Sequence, residues 1–334
     1  MNALAVVDSY DAVLFDLDGV IYLGPAAVPG AAEGIAQLHD RGIKIGFVTN
    51  NAARPPAAVA AHLVELGIPA TAADVVTSAQ AAAHLLVNRF GAGARILAVG
   101  GDGVTAALDE AGLLAVRSAD DDPVAVIQGY GFDLRWQELN EAAIAIQRGA
   151  DWVATNVDPT RPTDRGLVPG NGAAVIAVKM AVQVEPEVAG KPFRPLLDDT
   201  VERLGAHHPL FVGDRLDTDI AGAINAGLDC MLVLSGSHRA EELLAAAPGE
   251  RPHHVGEDLR ALLRPALVAT QTNGEFRCRQ ATAAAVDGRL MVHRNGSTRI
   301  EAIWAAAHAM WWAVDHGLAL DWREALEQLE EPLR

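Results

Sequence analysis

Cysteine is close to absent from this chain: Cys230 and Cys278 are the only two in 334 residues. That excludes a disulfide framework and a cysteine-held metal cluster. Cys230 lies in an apolar run and reads as core, whereas Cys278, between two arginines, reads as a surface residue. Positive charge is also scarce. Lys and Arg number 26 against 43 Asp and Glu, a formal net charge of -17, and no basic run occurs. Neither a nucleic acid nor a membrane surface is therefore expected as a partner. No apolar run reaches membrane-spanning length. The first residues carry no basic segment followed by an apolar stretch and a small-residue cleavage site, so the expectation is a cytoplasmic protein. The glycine fingerprint of a dinucleotide fold is missing after the first strand. Histidine chemistry has no support, since His207 and His208 are adjacent in a loop before a strand.

What is present begins with DAVLFDLDGVIY, residues 11 to 22. An apolar run through Val13, Leu14 and Phe15 reads as a buried parallel strand, interrupted by Asp16 and Asp18 and turned at Gly19. Open parallel sheets place ligands at that carboxyl edge. Two carboxylates this close repel, so a cation is expected between them. Taken alone, the pair reads equally well as an acidic loop end.

Apolar residues make up 50% and charged residues 21%, which with this length allows two folded domains or one large domain with an insertion. Abundant alanine blurs the amphipathic patterns. A helix over 29–42, a strand over 44–51 and a helix over 55–66 follow the first strand, in the manner of a right-handed crossover unit. From about residue 78 a second alternating unit runs through helices 79–87, 103–110 and 136–148 and strands 94–101, 125–131 and 151–158, ending around 173–180. The chain returns to the first unit near Gly190. There 208–227 reads as strand, acidic turn and helix, 230–236 as a strand, and 241–247 and 259–264 as short helices. The expected architecture is α/β: a Rossmann-like parallel-sheet core (1–79 and 189–265), an inserted α/β cap (80–188) and a C-terminal extension (266–334). In the extension RLMVHR and its predecessors suggest a small hairpin. Ile300, Ile303, Trp304, Ala307, Trp311 and Val314 fall at helical spacing, as do Trp322, Leu326 and Leu329. This stripe is expected either to dock on the core or to form a subunit contact.

Four polar clusters fall just after strands of the core: Asp16 with Asp18, Thr49 with Asn50, Lys191, and Asp214 with Asp219. Together they supply the parts of a magnesium-dependent phosphoryl transfer. One Asp attacks phosphorus, a second protonates the leaving oxygen, and hydroxyl, amide and ammonium groups hold phosphoryl oxygens. Further carboxylates hold the oxygen-seeking metal. In this order the clusters resemble the haloacid dehalogenase superfamily of aspartate-nucleophile phosphatases, over roughly residues 9 to 264. Within it the chain is similar to the nitrophenylphosphatase and NagD branch, with its large cap between the second and third motifs.

The resemblance implies that Asp16 is nucleophile and metal ligand. Asp18 would be general acid and then base, with its backbone carbonyl on Mg2+. Thr49 and Asn50 would bind the phosphoryl group, Lys191 would neutralise it, Asp214 would bind Mg2+, and Asp219 would hold metal-bound water. It also implies a homodimer through the cap. A dehalogenase needs neither Asp18 nor a metal. A phosphomutase would want a second phosphate-clamping basic cluster, and a non-catalytic α/β binding module leaves four intact clusters unexplained. The partner is then a small phosphorylated metabolite. The capped core with its extension resembles phosphatases of glycerol 3-phosphate, which makes that ester the first expectation. Its hydroxyls would be met by the cap-loop candidates Asp133, Asn156, Asp158 and Asn171. The second expectation is 2-phosphoglycolate, whose carboxylate would want Arg161 or Arg165. The cap loops offer few aromatics to stack pyridoxal phosphate or a nucleotide.

Overall fold

The computed structural model describes residues 4–163 and 165–330, so the first three and last four positions of the expected core and extension lie outside the described residues. The chain divides into two compact units. One runs up to Ile43 and resumes at His208; the other is the continuous stretch Lys44–His207, which interrupts the first in sequence.

In the discontinuous unit four strands lie parallel in the order His254–Gly256, Asp229–Val233, Pro209–Gly213, Ala12–Asp16. Ala12 pairs with Pro209 and Phe15 with Val212. Val13, Leu14, Phe15, Phe211 and Leu232 are fully buried, as expected of a parallel sheet covered on both faces. Each side chain of this size contributes about 1.5–3 kcal/mol on burial. The helix Ala31–Asp40 turns Ile35 and Leu38 inward.

The extension belongs to this unit and is more than a hairpin. Four antiparallel strands, Ala269–Thr272, Glu275–Cys278, Ala281–Val286 and Arg289–His293, pair in sequence order. Asn273-Gly274 and Asp287-Gly288 both turn with positive φ, the backbone that two-residue hairpins of matching twist require. The helix Arg299–Asp315 packs across this sheet, with Ile303, Trp304, Ala307 and Trp311 buried. Trp311 Nε1 donates to Leu243 O at 2.9 Å and Trp304 Nε1 to Leu267 O at 3.1 Å, so the aromatic stripe docks on its own chain. Val314 departs from the expected stripe and is exposed. In the short helix Arg323–Glu330 Leu329 is buried, while Trp322 precedes the helix and is half-buried. Cys278 is a correction. It is fully buried because Phe276 and Cys278 share the inner face of their strand while the flanking Arg277 and Arg279 are exposed. Burial pushes its thiol up to about 11.

In the continuous unit Lys44–Thr49 and Val75–Thr77 form a parallel pair around the helix Pro56–Glu65. A second, wholly parallel sheet follows in the order Glu187–Val188, Asp151–Ala154, Ala125–Gln128, Arg95–Val99, Leu114–Val116. The helices Trp136–Gln147 and Asn171–Lys179 close a core of Leu97, Val99, Val126, Ile146, Trp152 and Val175. An antiparallel hairpin, Thr160–Thr163 with Gly166–Pro169, was not anticipated. Among the described residues no helix is long and apolar enough to cross a membrane.

Candidate active site

The first polar cluster forms at the carboxyl edge of the discontinuous unit's sheet. Asp16 closes the Ala12–Asp16 strand and is half-buried, and Asp214 directly follows Pro209–Gly213. After Asp214 the backbone makes a π-helical turn, Leu216–Ile220, before the helix Ala221–Ala226. The wider turn brings Asp219 back over the strand end, where its Oδ2 accepts hydrogen bonds from Asp214 N and Arg215 N, both at 3.1 Å. Asp214 Oδ2 accepts from Ser237 N at 2.6 Å. Oxygen atoms of Asp16, Asp214 and Asp219 all lie within 4.8 Å of one another, and Asp214 and Asp219 are each 1% exposed.

Three carboxylates so close carry like charge in a partly desolvated place, which favours a hard cation as fourth member. The local shape fits one. A Cβ on Gly19 would stand 2.3 Å from Asp214 Oδ2, and one on Gly236 would stand 2.1 Å from it. Only hydrogen at both positions leaves the carboxylate where it is. Gly19 also has φ +87, a backbone that L side chains rarely adopt. Ser235 Oγ donates to Gly19 O at 2.8 Å, tying the two glycine loops together. Asp18 is exposed and stands outside the trio, in the turn that Gly19 N closes on Tyr22 O at 2.8 Å.

The second cluster lies in the continuous unit. Thr49 ends the Lys44–Thr49 strand and is 4% exposed, and its Oγ1 accepts from Asn51 N at 3.0 Å. The Asn50 side-chain amide brackets the main chain of Lys191: Lys191 N donates to Oδ1 at 2.8 Å, and Nδ2 donates to Lys191 O at 3.0 Å. The same Nδ2 reaches Asp158 Oδ2 at 3.2 Å. Asn50 O accepts from Ser78 Oγ and from Asn156 Nδ2, each at 2.7 Å. Asn171 Nδ2 donates to Asn156 O at 2.7 Å and Gln128 O at 3.2 Å. Lys191, Asn156 and Asn171 are all buried.

Three other candidates sit apart from this network. The Arg161 guanidinium lies over the rings of Tyr130 and Phe132, at 5.1 and 5.3 Å from their centroids, an attraction of about 0.5–2 kcal/mol. Asp133 is exposed on the rim of a cleft of about 480 Å3 that Ala53, Gly101 and Phe132 also line. Arg165 is exposed at the tip of the hairpin. Sequence reasoning missed Ser78. Its signal was a hydroxyl directly after the short strand Val75–Thr77, itself too short to announce.

A family model described as haloacid dehalogenase-like hydrolase matches residues 13–114, and one described as HAD-hydrolase-like matches 188–262. The chain is 47% identical over 258 residues to the D-glycerol 3-phosphate phosphatase of Mycobacterium tuberculosis, an alignment covering 77% of this chain and 72% of that protein. It is 34% identical over 254 residues to a 5'-nucleotidase of Bacillus subtilis, covering 75% and 96%. A crystal structure of a glycerol phosphate phosphatase from Mycobacterium tuberculosis in complex with magnesium is similar with a TM-score of 0.88 and 40% identity, over 98% of this chain and 99% of that one.

Proposed function

The chain belongs to the haloacid dehalogenase-like hydrolases, and on that premise we propose that it is a magnesium-dependent phosphomonoesterase that releases glycerol from glycerol 3-phosphate. The observation that carries the reading is the all-oxygen trio of Asp16, Asp214 and Asp219, a donor set suited to Mg2+. When bound there, Mg2+ would offset the carboxylate charge and draw electron density from the phosphoryl group.

In this reading an Asp16 oxygen attacks phosphorus and the bond from phosphorus to the glycerol oxygen breaks. Asp18 gives that oxygen its proton. Water then attacks phosphorus in the aspartyl phosphate, Asp18 takes a proton from that water, the bond from phosphorus to the Asp16 oxygen breaks, and inorganic phosphate leaves. The exposed setting of Asp18 supports a role in exchanging protons with substrate and water. Thr49, Asn50 and Lys191 hold the phosphoryl oxygens. Asp133 and Asp158 remain candidates to meet the glycerol hydroxyls. Asn156 and Asn171 have their amides engaged with main-chain carbonyls. Residues 1–79 and 189–265 serve as core, 80–188 as cap and 266–334 as extension. The protein works in the cytoplasm as a homodimer through the cap, which light scattering tests.

A second reading, 2-phosphoglycolate, draws support from the Arg161 guanidinium on the cap and from Arg165. A panel of small phosphate esters, read as kcat/KM by phosphate release, separates the two. Glycerol 3-phosphate should lead by well over about tenfold, because an ester that leaves a buried polar group without its partner loses about 1–3 kcal/mol. If phosphoglycolate leads instead, the substrate assignment falls and the phosphatase chemistry stands.

A further inference from the structure

We propose that Asn156 is a positioning residue for phosphoryl transfer: with Ser78 it pins the peptide plane between Asn50 and Asn51, and through that plane it sets the hydroxyl of Thr49. The inference rests on the phosphatase reading only in taking Thr49 as a phosphoryl ligand.

A carbonyl oxygen has two acceptor lobes, and both on Asn50 O are filled, by Ser78 Oγ and Asn156 Nδ2 at 2.7 Å each. In a trans peptide the C=O and the following N–H point in opposite directions. Holding Asn50 O therefore aims Asn51 N–H the other way, where it meets Thr49 Oγ1 at 3.0 Å. Because Thr49 Oγ1 already accepts this N–H, its own proton is directed elsewhere and is available to a phosphoryl oxygen. Losing the two carbonyl donors lets the plane rotate, and the threonine loses the group that orients it.

The donors are fixed in turn. Asn156 is 4% exposed and Ser78 0%. Asn156 Oδ1 accepts from Asp158 N at 3.2 Å, and its main-chain carbonyl accepts from Asn171, itself at the start of the helix Asn171–Lys179. Asn171 is thus one step further out along the same chain of contacts. Asn50's side chain closes the arrangement on the Lys191 main chain, so the threonine turn and the lysine are held by one frame. An Asn in a cap loop reads from sequence as a contact to the leaving alcohol. Here its amide faces the protein's own backbone.

The two roles predict different kinetics. A contact to glycerol matters only for esters of glycerol, whereas a frame for the phosphoryl turn matters for every ester and for phosphate alone. Asn156→Ala and Ser78→Ala, singly and together, are to be assayed on glycerol 3-phosphate and on nitrophenyl phosphate. Calorimetry reads inorganic phosphate binding in the presence of Mg2+, and melting temperature serves as the fold control. Asn156→Ala should lower kcat/KM by about tenfold on both esters alike and weaken phosphate binding by a similar factor, the size of one hydrogen bond to an ordered group. The double variant should lose more than the product of the singles, because either donor alone still restrains the plane. Asn156→Asp, isosteric but without the donor, is read if the alanine variant melts early, and should lose at least as much. A loss confined to glycerol 3-phosphate, with phosphate binding intact, overturns the inference, as does a double variant with wild-type phosphate binding. A wild-type chain that hydrolyses neither ester sinks the functional reading instead, and phosphate binding by the variants then decides this one.

Discussion

The two polar clusters are built on opposite electrostatic terms. Around Asp214 three carboxylates crowd within 4.8 Å, two of them held by main-chain N–H groups and hollowed around by glycines that leave room beside the charge. Around Asn50 the contacts are mostly neutral amides and hydroxyls that meet main-chain groups. The first cluster gains its meaning from what is added to it, a cation and an anionic substrate. In the second, the side-chain amides are already engaged with the main chain. Charge is therefore concentrated where chemistry happens, and rigidity where geometry must be kept.

The hardest break of that contrast is Asp16→Asn. It preserves shape and removes the nucleophile, so turnover should fall by at least about a thousandfold, while melting temperature and the amide cluster survive. Steady-state phosphate release checks this, and most of the turnover remaining would mean that another group attacks phosphorus. Asp18→Asn comes next. Alkyl phosphates, whose leaving oxygen needs a proton, should slow by about a hundredfold, and nitrophenyl phosphate much less. Equal losses on both would reduce Asp18 to a structural part of the turn. Gly236→Ala then tests the hollow itself by pushing a methyl group onto Asp214 Oδ2. Magnesium affinity, titrated through activity after EDTA treatment, should weaken by about tenfold or more, in the range of altered metal surroundings. An unchanged titration would place the cation away from Asp214.

The smallest effect asks whether carboxylates alone govern how the discontinuous unit responds to acid. His308 sits against the Trp304 and Trp311 rings at 4.6 and 4.9 Å, and burial pushes its imidazole down to about 4 from the usual 6.5. The unfolded chain therefore takes up the proton first. Stability from this group is complete above pH 6.5 and declines as pH falls through the window down to 4. Its magnitude is about 1–2 kcal/mol once partial solvent contact is discounted. Melting curves of His308→Phe should be flatter across that window than those of the parent, and parallel curves would assign the acid response elsewhere.

Much of this was legible from residue order. The apolar run through Phe15, the acids that end it, and the Thr49, Lys191 and Asp214 clusters after strands were readable, because each rests on a local pattern of period and punctuation. That Asp219 stands beside Asp16 and Asp214 was not legible from spacing. A residue five beyond Asp214 returns to the strand end only through a π-turn, which no helical or strand period announces. The Asn273-Gly274 and Asp287-Gly288 turns were written plainly in the extension and would have given four strands instead of a hairpin. Cys278 was misplaced because its arginine neighbours were taken as its environment, when on a strand they occupy the opposite face. Asn156 was read as a cap-loop contact to the substrate and Ser78 was passed over, since the main-chain carbonyl that both bind, Asn50 O, is far away in sequence.

The pairing of Ala12–Asp16 with Pro209–Gly213 has a further consequence for how the protein is made. The strand that ends in Asp16 leaves the ribosome before its Pro209–Gly213 neighbour, which follows almost two hundred positions later. At roughly 5–20 residues per second that interval is about 10–40 s. The continuous unit Lys44–His207 can close while synthesis proceeds, whereas the edge of the acid-bearing strand that Pro209–Gly213 covers stays open until that strand emerges.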